Sequence, residues 1–183
     1  LSNRPFFPHQ IIPLVVESTP WADTIKAIVN SSHKVLGLVL VQKEDVNEVQ
    51  PEEFYQMGTA CRLHRIAQAD DKLQIVVEGL QRFRIQEWIS KQRPFVVRAS
   101  YHPETRYNDV EEIKPYVLAV INIIKELLPL NPLYNEELRL FLERFGIEEP
   151  SPLTDFAASL TTSTKTELQE VLETIHLLKR LEK

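Results

Sequence analysis

Glycine is scarce in this sequence, occurring only at positions 37, 58, 79 and 146. Neither a phosphate-cradling G-x-x-x-x-G-K-[ST] loop nor a G-x-G-x-x-G turn can be written with these four, which excludes nucleotide binding by those standard loops. The nucleophile elbow G-x-S-x-G and the zinc helix H-E-x-x-H are missing too. A single cysteine, Cys61, excludes an intramolecular disulfide framework and a cysteine-rich zinc site, and fits a reducing compartment such as the cytoplasm. No apolar run approaches the roughly 20 residues that span a bilayer, and the Arg4-Pro5-Phe6-Phe7-Pro8 start lacks the apolar stretch of a signal peptide. The expectation is a cytoplasmic chain with no membrane partner.

Excess positive charge is also missing. The net charge is −5, and all of it falls late: residues 1–105 carry 12 basic and 12 acidic side chains, residues 106–183 carry 9 and 14. Affinity for nucleic acid comes mostly from basic groups meeting phosphates, so this balance weighs against a bulk nucleic-acid binder. What is present is an ordinary globular composition, 43% hydrophobic and 26% charged over 183 residues, enough for one domain or two small ones, each with a real core. Leu1 is not an initiator methionine and the last helical pattern still runs at Lys183, so the sequence reads as an excised fragment.

The hydrophobic period changes along the chain. Before about residue 102 apolar and polar residues alternate; afterwards apolar residues recur every three to four. The pattern predicts an α+β protein, with a β-rich domain over 1–105 and an α-helical subdomain over 106–183. In the first part, 10–16 reads as a strand, and 20–31 as a short helix with Trp21, Ile25 and Ile28 on one face. The nearly all-apolar 35–41 reads as a central strand, and 51–57 as a short helix begun by Pro51. Four strands follow, over 58–69, 73–80, 82–90 and 95–101, the first two joined through Asp70-Asp71. A meander of this kind closes naturally into a small barrel. Alternation places Phe83, Ile85, Phe95, Val97 and Ala99 inside and Arg82, Arg84, Gln86 and Arg98 outside. Gly79 marks a bulge or corner.

The second part reads as four amphipathic helices in a small bundle. Asp109 and Glu112 make a capping box for the first, which carries Ile113, Val117, Val120, Ile121, Ile124, Leu127 and Leu128 and runs to about Leu128. Pro115 either delays its start or bends it. Asn131-Pro132 opens the second, with Tyr134, Leu138, Phe141, Leu142 and Phe145, stopped by Gly146. Ser151-Pro152 opens the third, with Leu153, Phe156, Ala157 and Leu160. Thr164 with Glu167 caps the fourth, striped by Leu168, Val171, Leu172, Ile175, Leu178 and Leu181.

Chemistry-bearing patterns are few. Ser31-x-x-Lys34 has the spacing that lets a lysine activate a serine, but no S-D-N or K-T-G partner accompanies it, and a polar helix end explains it better. Cys61-x-x-His64 lies on a strand, where residues three apart point to opposite faces and cannot share a metal ion. The acidic pairs at 52–53, 111–112, 136–137 and 148–149 sit at helix starts or loops, where negative charge suits the helix dipole. Arg62, Arg82, Arg84 and Arg98 would form an outward basic strip on neighbouring strands, although no aromatic residues interleave with them as a stacking platform requires. Trp21, Phe54, Tyr55 and Trp88 offer apolar contact to an unfolded client, or core. The candidate substrate-binding set is Trp21, Phe54, Tyr55, Trp88, Arg62, Arg82 and Arg84, with no catalytic or metal-binding residue.

Four segments together resemble the Lon protease N-terminal, or substrate-binding, domain. They are Pro5-Phe6-Phe7-Pro8 with Ile12-Pro13-Leu14, the run from Phe54 to Arg62 into Gly58-Thr59, the run Val76-Val77-Glu78-Gly79-Leu80-Gln81-Arg82-Phe83-Arg84-Ile85, and Leu168 to Glu173 with Lys179-Arg180-Leu181. The third is the most specific, close to the family's V-E-G-x-x-R-x-R-I signature; His9 and Gln10 depart from the pattern, standing where many members have a glycine. The resemblance implies a six-stranded, PUA-like β pseudo-barrel followed by a four-helix subdomain. It also implies a non-catalytic role in substrate recognition and assembly, within an ATP-dependent serine protease that degrades misfolded and regulatory proteins. The ATPase and Ser-Lys peptidase domains lie outside this chain, so ATP and Mg are expected only in that parent, with no cofactor here. Implied partners are unfolded or degron-bearing proteins, the parent's own ATPase and peptidase domains, and further copies in a hexamer. A free-standing Lon-like domain protein and an RNA-binding pseudo-barrel remain open as other readings.

Overall fold

A computed structural model of the chain describes residues 1–43, 48–103, 110–127, 129, 138–139, 141–144 and 149–183. The chain divides into two compact units, Leu1–Pro103 and Glu104–Lys183.

The first unit is an antiparallel sheet of five strands with one helix. The strands are β1 (Ile11–Glu17), β2 (Val35–Val41), β3 (Phe54–Ala69), β4 (Lys72–Ser90) and β5 (Val96–His102), and α1 (Ser18–Val29) follows β1. The order is β1-β4-β3-β2, with β5 also on β4. The expected sixth strand does not exist separately: the segments 73–80 and 82–90 form one strand. Its Lys72–Glu78 stretch pairs with β1, its Arg82–Ser90 stretch with β5, and β3 runs beside both. Gly79 and Leu80 were a plausible break because the alternation falters there, yet the backbone continues through a bulge. Asp70, in the left-handed region at φ 52°, makes the tight β3–β4 turn as its sequence suggests.

Two further expectations are corrected. The segment 51–57 is a single 3-10 turn, Pro51–Glu53, and strand begins at Phe54. The all-apolar β2 ends the strand order rather than lying at its centre. Leu1 meets its free side near one end, with Leu1 N–H groups donating to the Val39 carbonyl at 2.9 Å and Val41 N–H to the Leu1 carbonyl at 2.8 Å, where Leu40 and Val41 are buried.

One irregularity decides which side chains meet. Cys61 pairs with Gly79 but Ala60 pairs with Gln81, so Leu80 is an extra residue in β4. A one-residue shift exchanges the faces of every side chain beyond it. Leu73, Ile75 and Val77 therefore pack with Cys61 and Leu63 on one face of β3, together with Phe6 and Ile25. Phe83 and Ile85 pack with Ala60 on the other. The Phe83 ring lies over Gly58 and Gly37, where an added Cβ would come within 3.2 and 2.6 Å of it.

The second unit is helical where described: α2 (Val110–Leu127), α3 (Pro150–Leu160), α4 (Lys165–Glu173) and α5 (Leu177–Leu181). Helix α2 runs continuously through Pro115, whose missing N–H leaves only the carbonyl of exposed Glu111 without its helical donor. Val120 and Ile124 pack with Phe141, Leu153, Phe156, Ala157 and Leu160, and the Phe141 and Phe156 rings stack at 4.6 Å. Burying a leucine as completely as Leu153 or Leu160 contributes about 1.5–3 kcal/mol. Thr164 accepts the Glu167 N–H while Glu167 accepts the Thr164 N–H at 2.8 Å, the expected capping box. The helix so begun stops at Glu173 and a separate short helix follows, because Thr174 leaves helical geometry and its hydroxyl turns back to the Glu170 carbonyl at 2.7 Å. The Asp109 cap, Leu128, and Asn131-Pro132, Tyr134, Phe145 and Gly146 of the expected second helix lie outside the described residues; Leu138, Arg139 and 141–144 are helical. No described helix is long and apolar enough to cross a membrane.

Candidate functional site

In the first unit, the side chains of β1, α1, β2, β4 and β5 leave an apolar cleft of about 950 Å3. Leu14 and Val16 of β1, Ile28 of α1, Ile85 of β4 and Val97 and Ala99 of β5 lie along it. Ile85 is buried, while the other five are only half-buried. The strands supply an apolar lining and the cleft leaves it incompletely covered.

Four aromatic rings gather on this cleft. Phe54, at the first position of β3, sits 5.2 Å from Trp88 and 5.5 Å from Phe95; Trp88 and Phe95 are 5.7 Å apart at 78°, and Trp21 is 6.4 Å from Phe95. These are the tilted and edge-to-face contacts that aromatic quadrupoles favour. All four rings line the cleft and are half-exposed. The Arg93 guanidinium lies 4.8 Å from the Trp21 ring centroid and 5.6 Å from that of Phe95, cation-π range. The aromatic group offers broad apolar contact with the Arg93 guanidinium beside it, and Arg4 and Lys72 also line the cleft.

Of the seven candidate residues, the structure brings Trp21, Phe54 and Trp88 together on the cleft. Tyr55, next to Phe54 on an alternating strand, is half-buried and does not line it. Arg62 and Arg84 are exposed and also lie off it. Arg82 contradicts the outward basic strip: it is 2% exposed. The reason is the bulge at Leu80, which sets Arg82 opposite Thr59, on the face of Met57 and Cys61. Thr59 is itself fully buried, its hydroxyl donating to the Phe6 carbonyl. Arg98 is tied to Glu87 across the β4–β5 pair at 2.9 Å, so the strip is interrupted there as well. Phe95 and Arg93 belong to the aromatic group but were absent from the sequence-derived set. The available signal was the inward position of Phe95, seven residues beyond Trp88 across a short hairpin.

The weak catalytic patterns resolve into local structure. The Ser31 hydroxyl donates to the Ile28 carbonyl at 2.7 Å and accepts the backbone N–H of Lys34 at 3.1 Å, closing the exposed end of α1. Cys61 is fully buried, and burial pushes its thiol well above the ordinary range. His64, which a second bulge leaves unpaired in the β3–β4 ladder, meets Glu78 at 2.8 Å instead. Among the described residues no group of three His, Cys, Asp or Glu is placed to hold a metal ion.

Fold and cleft define an α+β domain with an incompletely covered apolar cleft in its sheet-bearing unit. Over residues 1–183 the chain matches the family described as the ATP-dependent protease La (LON) substrate-binding domain. It is 40% identical over 183 residues to Lon protease 2 of Hydrogenovibrio crunogenus and 40% identical over 186 residues to Lon protease of Chlamydia pneumoniae. Among solved structures it is similar to the N-terminal domain of Mycobacterium avium complex Lon protease, with a TM-score of 0.72 at 20% identity, covering 100% of this chain and 91% of that one. The Lon N-terminal domain protein from Xanthomonas campestris gives 0.65 at 16%, covering 100% and 92%. These last two likenesses show the fold. The chain belongs to the Lon substrate-binding domain family. It is covered in full by its curated relatives but spans only 21% and 22% of the lengths of the two named.

Proposed function

We propose that this chain is the substrate-engaging part of an ATP-dependent Lon protease, and that its cleft binds apolar stretches of misfolded or regulatory proteins before they are degraded. The observation that carries this reading is the half-exposed group of Trp21, Phe54, Trp88 and Phe95 on an apolar cleft. Aromatic rings give large contact area at small entropic cost and tolerate many partner shapes, which suits a site that must accept varied unfolded segments. The chemistry would then belong to the parent, a cytoplasmic hexamer with ATPase and Ser-Lys peptidase domains that use ATP and Mg. In that assembly a weak cleft suffices, because each copy raises the local concentration of client near the pore. The domain would also help assemble the parent.

The test uses the chain's only two tryptophans, Trp21 and Trp88, both on the cleft. A tryptophan-free polypeptide kept unfolded by reduction and carboxymethylation should shift their emission to shorter wavelength, saturably and with little dependence on salt. Unchanged emission together with unchanged client degradation by a parent lacking this domain would sink the proposal. Binding of RNA, the other reading, would weaken steeply with salt; the buried Arg82 and the Arg98–Glu87 pair leave that reading little continuous basic surface.

A further inference from the structure

The sheet offers strand edges of unequal openness. The free side of β2 is met by Leu1. Strand β1 carries Pro13 as its third residue, which has no N–H to offer a further strand. Strand β5 differs from both: it pairs with β4 on one side, and no backbone hydrogen bond among the described residues reaches its other side. All seven of its residues, Val96–His102, carry an N–H. Such an edge is a template for pairing with another chain unless it is blocked by proline, inward charge or a covering segment.

The edge is continuous with the cleft. Val97, Ala99 and Tyr101, alternate residues of β5, line it. A segment paired with β5 would present every second side chain beside these three. The charge near β5 is mostly basic, with Glu87 of β4 tied to Arg98. Between Glu87 and Glu104 the chain has no acidic residue, but it has Lys91, Arg93 and Arg98. Arg98 is 70% exposed on the strand itself, while Arg93 stands over the aromatic rings.

We infer that clients bind by strand addition: an extended segment with apolar residues at alternate positions and acidic residues between them pairs with the free edge of β5. The backbone bonds supply affinity that does not depend on sequence, the cleft selects apolar side chains, and the local cations favour acidic neighbours. This mode rests on the proposed role of the cleft in client binding and goes beyond it, since apolar capture alone needs no backbone pairing.

The probe is a tryptophan-free peptide of about seven residues, a common strand length, alternating Leu or Phe with Glu. Two analogues replace alternate amides by esters, in opposite phases, removing either the N–H groups directed at β5 or those directed at solvent. Tryptophan emission of the whole 183-residue chain reads binding. One ester phase should raise the Kd about tenfold or more while the other leaves it nearly unchanged. Amides of Val96–His102 should gain hydrogen-exchange protection with the all-amide peptide, and replacing its Glu by Lys should weaken binding several-fold. Equal affinity of both ester peptides and the parent peptide overturns strand addition while leaving the cleft reading intact. Binding of the unfolded polypeptide but not of the peptide has the same meaning, whereas binding of neither overturns both. Protection of Val96–His102 that rises with protein concentration before any peptide is added would assign the edge to a second copy and overturn the inference.

Discussion

Gly79 lies against Phe7 so closely that a Cβ on it would stand 2.5 Å from the Phe7 carbonyl oxygen. The same glycine exchanges backbone bonds with the segment that follows: His9 N–H donates to the Gly79 carbonyl and Gly79 N–H to the Gln10 carbonyl, both at 2.9 Å. Two of the family-like segments, far apart in sequence, are thus in register because one of them has no side chain at the crossing. Gly79→Ala should destabilise the first unit by about 1–3 kcal/mol, since the opposing atom is backbone and cannot rotate away. Urea unfolding with tryptophan emission as the signal measures it, and an unchanged midpoint would refute the close approach.

The aromatic group should matter more to binding than to stability, because all of its members are half-exposed. Phe95 contacts Trp21, Phe54 and Trp88, and its replacement leaves both tryptophan reporters in place. Phe95→Ala should raise the Kd for an unfolded polypeptide about tenfold, the loss of one to two aromatic contacts of about 0.5–1.5 kcal/mol each. Arg84→Ala, exposed and off the cleft, should leave it unchanged.

Arg180 and Asp155 form a buried pair in the second unit, each side chain 1% exposed and their nearest atoms 3.6 Å apart, with Arg180 also donating to Ser151. Removing one partner strands a charge in low dielectric. Arg180→Leu should therefore cost about 3–5 kcal/mol, while adding Asp155→Leu should restore much of it. Chemical unfolding of the two single variants and the double variant forms the cycle; additive losses would show that the charges do not depend on each other.

Cys61 is held in its protonated form by burial, with nearby Glu78 acting in the same direction. Thiolate is the reactive species, so iodoacetamide should modify native Cys61 orders of magnitude more slowly than it modifies the urea-unfolded chain. Prompt alkylation under native conditions would contradict its burial.

Much of this was legible in local pattern. The Asp70 turn, the inward Phe83 and Ile85, the irregularity at Gly79 and the Thr164 cap each depend on a few adjacent residues. Arg82 was not legible, because its face is decided by which residue of β3 it meets. One extra residue at Leu80 changes that pairing, and the faltering alternation there does not say which face the following residues take. The end-of-sheet position of β2 was hidden for a similar reason: an all-apolar strand reports burial on both sides, and burial does not reveal what covers it. The aromatic group was half legible. Trp21, Phe54 and Trp88 stood out as amphipathic residues, but their assembly through Phe95 required the β4–β5 hairpin to bring its two ends together.

The cap of α4 should make the second unit sensitive to acid. Thr164 N–H donates to the Glu167 carboxylate at 2.8 Å and the Thr164 hydroxyl lies 2.8 Å from it. These bonds favour the ionised form and hold the Glu167 carboxyl below its usual value. A carboxyl depressed in the folded state binds its proton more weakly there than in the unfolded chain. Its contribution is therefore fully present above the unfolded value near 4.5 and is lost as pH falls through the lower folded value. Glu167→Gln should remove this part of the acid sensitivity while keeping side-chain length, so the stability difference from the parent chain should shrink as pH falls from 6 to about 3. Thr164→Ala removes the reciprocal bond to the Glu167 N–H and should cost about 1 kcal/mol at neutral pH. Circular dichroism during urea unfolding at several pH values measures both. A Glu167→Gln difference that stays constant over this range would show that the carboxylate contributes through shape and polarity rather than through its charge.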